Sequence, residues 1–111
     1  MDSAEAFCHG FLGGVLMNVA GYRVQSNREA GDGRPDVVLE PSNPFGKDPY
    51  IVIEIRHRKE YRDMQGGLRE ALKQIGDQHY TAEYEEYARG GVLAYGICFC
   101  RKVCLVEEWK R

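Results

Sequence analysis

Residues 50–60 read "YIVIEIRHRKE". Side chains alternate across a strand, so Ile51, Ile53, Ile55 and His57 fall on one face and Val52, Glu54, Arg56 and Arg58 on the other. The isoleucines claim the core, which sends Glu54 and Arg56 together toward the opposite side. Upstream, "GRPDVVLE" (33–40) is a second β-branched run with an acid at its head. Val37 and Leu39 share one face of it, and Asp36, Val38 and Glu40 share the other. Burying an unpaired carboxylate is expensive. If the two runs pair as a hairpin, Asp36 and Glu54 converge, and that cost has to be met somehow.

The rest of the chain builds outward from this pair of strands. Phe7, Phe11, Leu12, Val15, Leu16 and Val19 recur at helical spacing and predict an amphipathic helix over residues 3–20. Asp2 and Glu5 resemble a capping box, and Gly21 is a stop. "YRVQSN" (22–27) predicts a first strand, and "REAGDGR" has hairpin-turn chemistry. Strand two is then 36–40, and "PSNPFGKDP", with three of the four prolines, is a loop before strand three at 50–58. Leu68, Ala71, Leu72, Ile75 and His79 mark a second helix, which "TAEYEEYA" continues to a stop at Gly90-Gly91. "VLAYGICF" and "VCLVEEW" are two closing strands. The predicted order is α-β-β-β-α-β-β, an α/β chain of the α+β kind built on a mixed sheet.

A chain of 111 residues fits one domain, residues 1–111, able to bury a core without staples. No apolar run approaches a membrane span, and no basic segment, apolar stretch and cleavage site mark a signal peptide. The four cysteines, Cys8, Cys98, Cys100 and Cys104, do not spread as a secreted disulfide framework does, so a reducing cytoplasm is expected. A net charge of −2 excludes a broad basic footprint. Affinity for a polyanion then has to rest on local cations such as Arg34, Arg56, Arg58 and Lys59.

Two close carboxylates repel, and one is driven to a raised pKa unless a cation sits with them. A divalent ion with oxygen ligands resolves that cost, since Mg2+ commonly takes one or two protein carboxylates plus waters and substrate phosphate. Such an ion polarises a phosphoryl oxygen and activates water. Acids at Asp36 and Glu54 therefore suit a metal site for phosphodiester cleavage. They also suit plain ion pairs with Arg34, Arg56 or Arg58 across the sheet.

Pro35-Asp36 followed by Glu54-x-Arg56 resembles the PD-(D/E)XK nuclease superfamily. "EAFCHGFLGGVL", "SNREAGDGRPDVVLEP", "IVIEIR", "EALKQIGDQHY" and "LAYGICF" resemble, in that order, one branch of it: small domains found C-terminal in bacterial proteins that also carry an ATPase-like region. The resemblance covers nearly the whole chain and implies a restriction-endonuclease-like core. It implies Asp36 and Glu54 as ligands of Mg2+ or Mn2+, with Glu5 matching an acidic position that completes the metal site in several branches. It places Arg56 where the family has Lys, orienting water and stabilising charge, and Gln74 and Tyr80 where a glutamine and a tyrosine hold substrate and site geometry. Arginine can hold a phosphate oxygen bidentately but cannot give up its proton. The resemblance also implies nucleic acid, DNA first, as partner, alongside an ATPase-like domain or a second copy of the chain.

Other readings stand beside these. The domain can be a catalytically silent nuclease-like module that binds nucleic acid or a protein partner, with Arg56 a structural partner of Glu54. The chain can equally be a fragment of a larger protein. Glu5 is fully explained as a cap, and Gln74 as a helix-surface residue. His9 and His79 read as packed or hydrogen-bonded, His57 as the core-side end of its strand, and Glu29 as a loop acid near Arg28 or Arg34. Some nucleases of this superfamily hold an iron–sulfur cluster on one early and three late cysteines. The spacing of Cys98, Cys100 and Cys104 fits that pattern, or zinc, poorly, and small buried hydrophobes explain them.

Overall fold

The computed structural model describes residues 19–27, 34–86 and 88–110. Residues 3–18 of the predicted N-terminal helix, with Glu5, Cys8 and His9, lie outside them, as does Glu29 in the predicted turn, and Val19 and Ala20 at its expected end are not helical. Among the described residues, β1 (Tyr22–Ser26), β2 (Val37–Pro41), β3 (Tyr50–His57), β4 (Val92–Cys100) and β5 (Val103–Glu108) form one sheet in chain order. β3 and β4 run parallel, and every other neighbouring pair is antiparallel. A parallel pair needs a crossover. Here it holds a 3-10 turn (Tyr61–Asp63), then α1 (Met64–Asp77) and α2 (Ala82–Glu85).

α1 forms because Met64, Gly67, Leu68, Ala71 and Ile75 bury one stripe at spacings of three and four. Two missing side chains let that stripe come close to the sheet. A Cβ on Gly67 would stand 2.7 Å from Cys98 Sγ, and one on Gly96 of β4 would stand 3.1 Å from Leu72 Cδ2 and 3.3 Å from Ala71 Cβ.

The single helix expected up to Gly90 is broken. His79 takes the left-handed φ of 53°, and the Tyr80 amide bonds back to the Ile75 carbonyl at 3.2 Å. That turn buries Tyr80 and leaves His79 exposed, so His79 is not the packed helix residue expected. Gly91, at φ 82°, closes the crossover where the stop was placed.

The central strands β2, β3 and β4 carry buried residues on both faces, where the sequence suggested one core face. Val37, Leu39, Ile53, Ile55 and Ile97 cluster on one side, and Val52, Ala94, Ile75 and Tyr80 on the α1 side. Cys98 and Cys100 pack with Met64 and Leu68, as small hydrophobes do. Cys104 does not join them. It is exposed and pairs in register with Phe99, which places it on the opposite face.

Candidate functional site

The β2–β3 register pairs Val37 with Ile53 and Val38 with Val52, so Asp36 and Glu54 come next on the two strands. The Asp36 amide donates to Glu54 Oε1 at 3.3 Å, and the Ile55 amide donates to Asp36 Oδ2 at 2.8 Å. Asp36 is held from behind as well. Asn27, at the end of β1, donates its backbone amide to the Asp36 carbonyl at 2.7 Å and its side-chain amide to the Pro35 carbonyl at 2.7 Å.

Glu54 is 2% exposed. Burial, then the charge of Asp36, push its carboxyl up to about 7 against the pull of Arg56. Near pH 7 Glu54 is therefore protonated about half the time, with burial as the larger cause and the charge of Asp36 the smaller one.

Arg56 is the centre of the next layer. Its Nη1 donates to Glu54 Oε2 at 2.7 Å and to the Ile55 carbonyl at 2.9 Å. Its Nε donates to Glu70 Oε1 at 3.0 Å, and its Nη2 donates to Gln74 Oε1. Gln74 Nε2 donates in turn to Tyr80 Oη at 2.8 Å. Burial raises the Tyr80 phenol further, so it stays protonated. Glu70 also accepts from Arg58 Nη2. Burial works against its charge, but the hydrogen bond from Arg56 and the charge of Arg58 win and hold its carboxyl below the usual range.

Asp36, Glu54, Arg56, Gln74 and Tyr80 thus lie in one connected cluster. Glu5 lies outside the described residues, and Cys8 with it. Among the described residues, no group of three or more His, Cys, Asp or Glu converges on one point, so Asp36 and Glu54 would be the donors there. Glu70 was missed by sequence reasoning, because a helix acid reads as a solvated one. Its spacing of four before Gln74 on the same helix was the available signal.

The arrangement places two abutting acids, one poised near neutrality, beside a guanidinium fixed at four of its five N–H groups. It can hold a cation and present a positive charge to an anion. A family model of the PD-(D/E)XK nuclease superfamily matches residues 3–109. No curated protein matches the chain.

Proposed function

The chain belongs to the PD-(D/E)XK nuclease superfamily, and from that premise we propose a metal-dependent phosphodiesterase acting on nucleic acid, DNA first. The observation that carries this reading is the Asp36–Glu54 pair, whose shared strain is what a divalent cation relieves. The donor set fits a hard ion, since the two paired strands offer carboxylate oxygens from Asp36 and Glu54. Asp36 and Glu54 would hold Mg2+ or Mn2+, which when bound supplies Lewis-acid polarisation of a phosphate oxygen and an activated water.

The remaining roles fall to the chain's own groups. Arg56 stands as a permanent cation for the charge developing on phosphate, where the family has Lys. It cannot serve as a base. Gln74 and Glu70 hold its fork in place, and Tyr80 fixes Gln74 in the rotamer that does so. An ATPase-like neighbour, a homodimer and a cytoplasmic, bacterial setting belong to the same proposal.

One observation favours a second reading. Arg56 already has Glu54, Glu70 and Gln74 as partners, as in a site where the arginine has replaced the metal's charge and left a silent binding module. A cleavage assay with Mg2+ and Mn2+, beside Asp36→Ala and Arg56→Lys, separates the two. The enzyme reading expects cleavage that Asp36→Ala abolishes and Arg56→Lys keeps or raises. Equal cleavage in the parent and Asp36→Ala leaves the silent module.

A further inference from the structure

A groove of about 470 Å3 opens along the start of α1, lined by Arg58, Arg62, Asp63, Gln65, Gly66, Arg69 and Glu70. It adjoins the site through Glu70, whose carboxylate accepts from Arg56 on one side and Arg58 on the other. Arg62, Gln65, Gly66 and Arg69 follow helical spacing (i, i+3, i+4, i+7), so they form one stripe. Nothing stands within 4 Å of the place a Gly66 Cβ would take, which leaves the stripe open at its middle.

The cations of this stripe differ from those the sequence suggested. Arg56 and Arg58 are engaged by Glu54 and Glu70. Arg62 and Arg69 are exposed, and among the described residues neither makes a hydrogen bond or an ion pair. Two long cations left in water on one wall of a groove are placed to take an anion from outside. One further cation stands near them: Arg101 has its guanidinium carbon 5.1 Å from the ring centroid of Tyr61, the neighbour of Arg62. The whole chain is acidic by two charges, while this groove is lined by three arginines against two acids, Asp63 and Glu70, so its local charge favours an anion.

We propose that this groove is a track for the sugar–phosphate backbone of a nucleic acid, with Arg62 and Arg69 as phosphate contacts that lead a strand to Arg56. The inference rests on the phosphodiesterase reading for its substrate class but not for its test. Arg62 in the 3-10 turn and Arg69 in α1 stand seven residues apart, about 10 Å along a helical rise, far enough for each to meet a different phosphate. Contacts of this kind position a backbone and carry no sequence information, so binding is expected to be indifferent to sequence.

The test is binding without cleavage. Fluorescence anisotropy with a labelled DNA oligonucleotide, single-stranded and duplex, is read in EDTA across a salt series. The parent is compared with Arg62→Ala, Arg69→Ala, the double variant, the Arg62→Lys and Arg69→Lys pair, and the control Arg23→Ala on β1. Each alanine is expected to lower the slope of log K against log salt by about 1, and the double variant by about 2. The lysine pair and Arg23→Ala are expected to keep the parent slope, which separates lost charge from lost fold.

An unchanged slope in the double variant overturns the track, as does a parent that binds neither oligonucleotide. A reduced slope in a chain that never cleaves DNA supports the track and sinks only the phosphodiesterase reading. Metal-dependent cleavage with an unchanged slope does the reverse.

Discussion

On one face of β3, Ile53 and Ile55 meet Val37, Leu39 and Ile97, with no polar side chain in the cluster. On the other, Val52 packs against Ile75 and Ala94, and the next two residues on that face are Glu54 and Arg56. Both faces are buried, and the backbone is the same strand. The second face changes character along α1, which covers it. Where α1 offers Ala71 and Ile75 the face is apolar, and where it offers Glu70 and Gln74 the face is a hydrogen-bonded network. A network of this kind stays in a core only if its members are satisfied, and Arg56 satisfies three side chains at once. The apolar face holds the fold together, and the mixed face keeps a charged network under the helix.

That contrast can be broken most sharply at Arg56. Arg56→Ala leaves Glu54 as a buried acid without its cation, a change that costs about 3–5 kcal/mol when the partner stays charged. The loss is expected in full at pH 8 and is expected to shrink at pH 6, where Glu54 takes a proton instead. Urea unfolding at the two pH values measures it. An equal loss at both would show that Glu54 is not the group released.

On the apolar face, Ile55→Ala removes a side chain that is 1% exposed and should cost about 3 kcal/mol through lost burial and a cavity. Here the same urea experiment is expected to return the same value at pH 6 and pH 8. A pH-dependent loss would mean that the two faces are coupled through β3.

The smallest effect is in the parent itself. Glu54 has its carboxyl raised from 4.5 to about 7 in the fold, so between those values the folded state binds more protons than the unfolded one. Stability then falls as pH rises through that window. Between pH 5 and pH 8, without metal, the loss is roughly 2 kcal/mol at about 1.4 kcal/mol per pKa unit. Thermal melts in EDTA read it, and Glu54→Gln is expected to flatten the profile. A melting temperature that climbs across this range would contradict the burial of Glu54.

Much of this was legible in the residues. Strand alternation alone put Glu54 and Arg56 on one side, and the hairpin pairing put Asp36 opposite Glu54, because a period of two leaves a strand little freedom. The burial of that side was not legible, since an acid and a base on a strand look like a solvated face until a helix is seen to cover them. The break after Asp77 was hidden for a related reason. Asp77-Gln78-His79-Tyr80 contains no Gly or Pro, and the gain that drives His79 to a positive φ is the burial of Tyr80, a tertiary effect. The free arginines of the groove were passed over because a cation on a helix is ordinary until its neighbours prove to be engaged elsewhere.

The reach of Glu70 and Gln74 depends on something absent. Gly67 lies three residues before Glu70 and seven before Gln74 on the same side of α1, and Gly96 is the register partner of Glu54 on the neighbouring strand. Each stands where a single methyl would press on Cys98 or Leu72, so these two glycines set the height of the helix above the sheet. A methyl added at Gly67 would stand 2.7 Å from Cys98 Sγ, so it is expected to push this part of α1 off the sheet and to lengthen the reach of Glu70 and Gln74 to Arg56. The tightness of the guanidinium clamp is thus tuned from two positions that contribute no side chain to it.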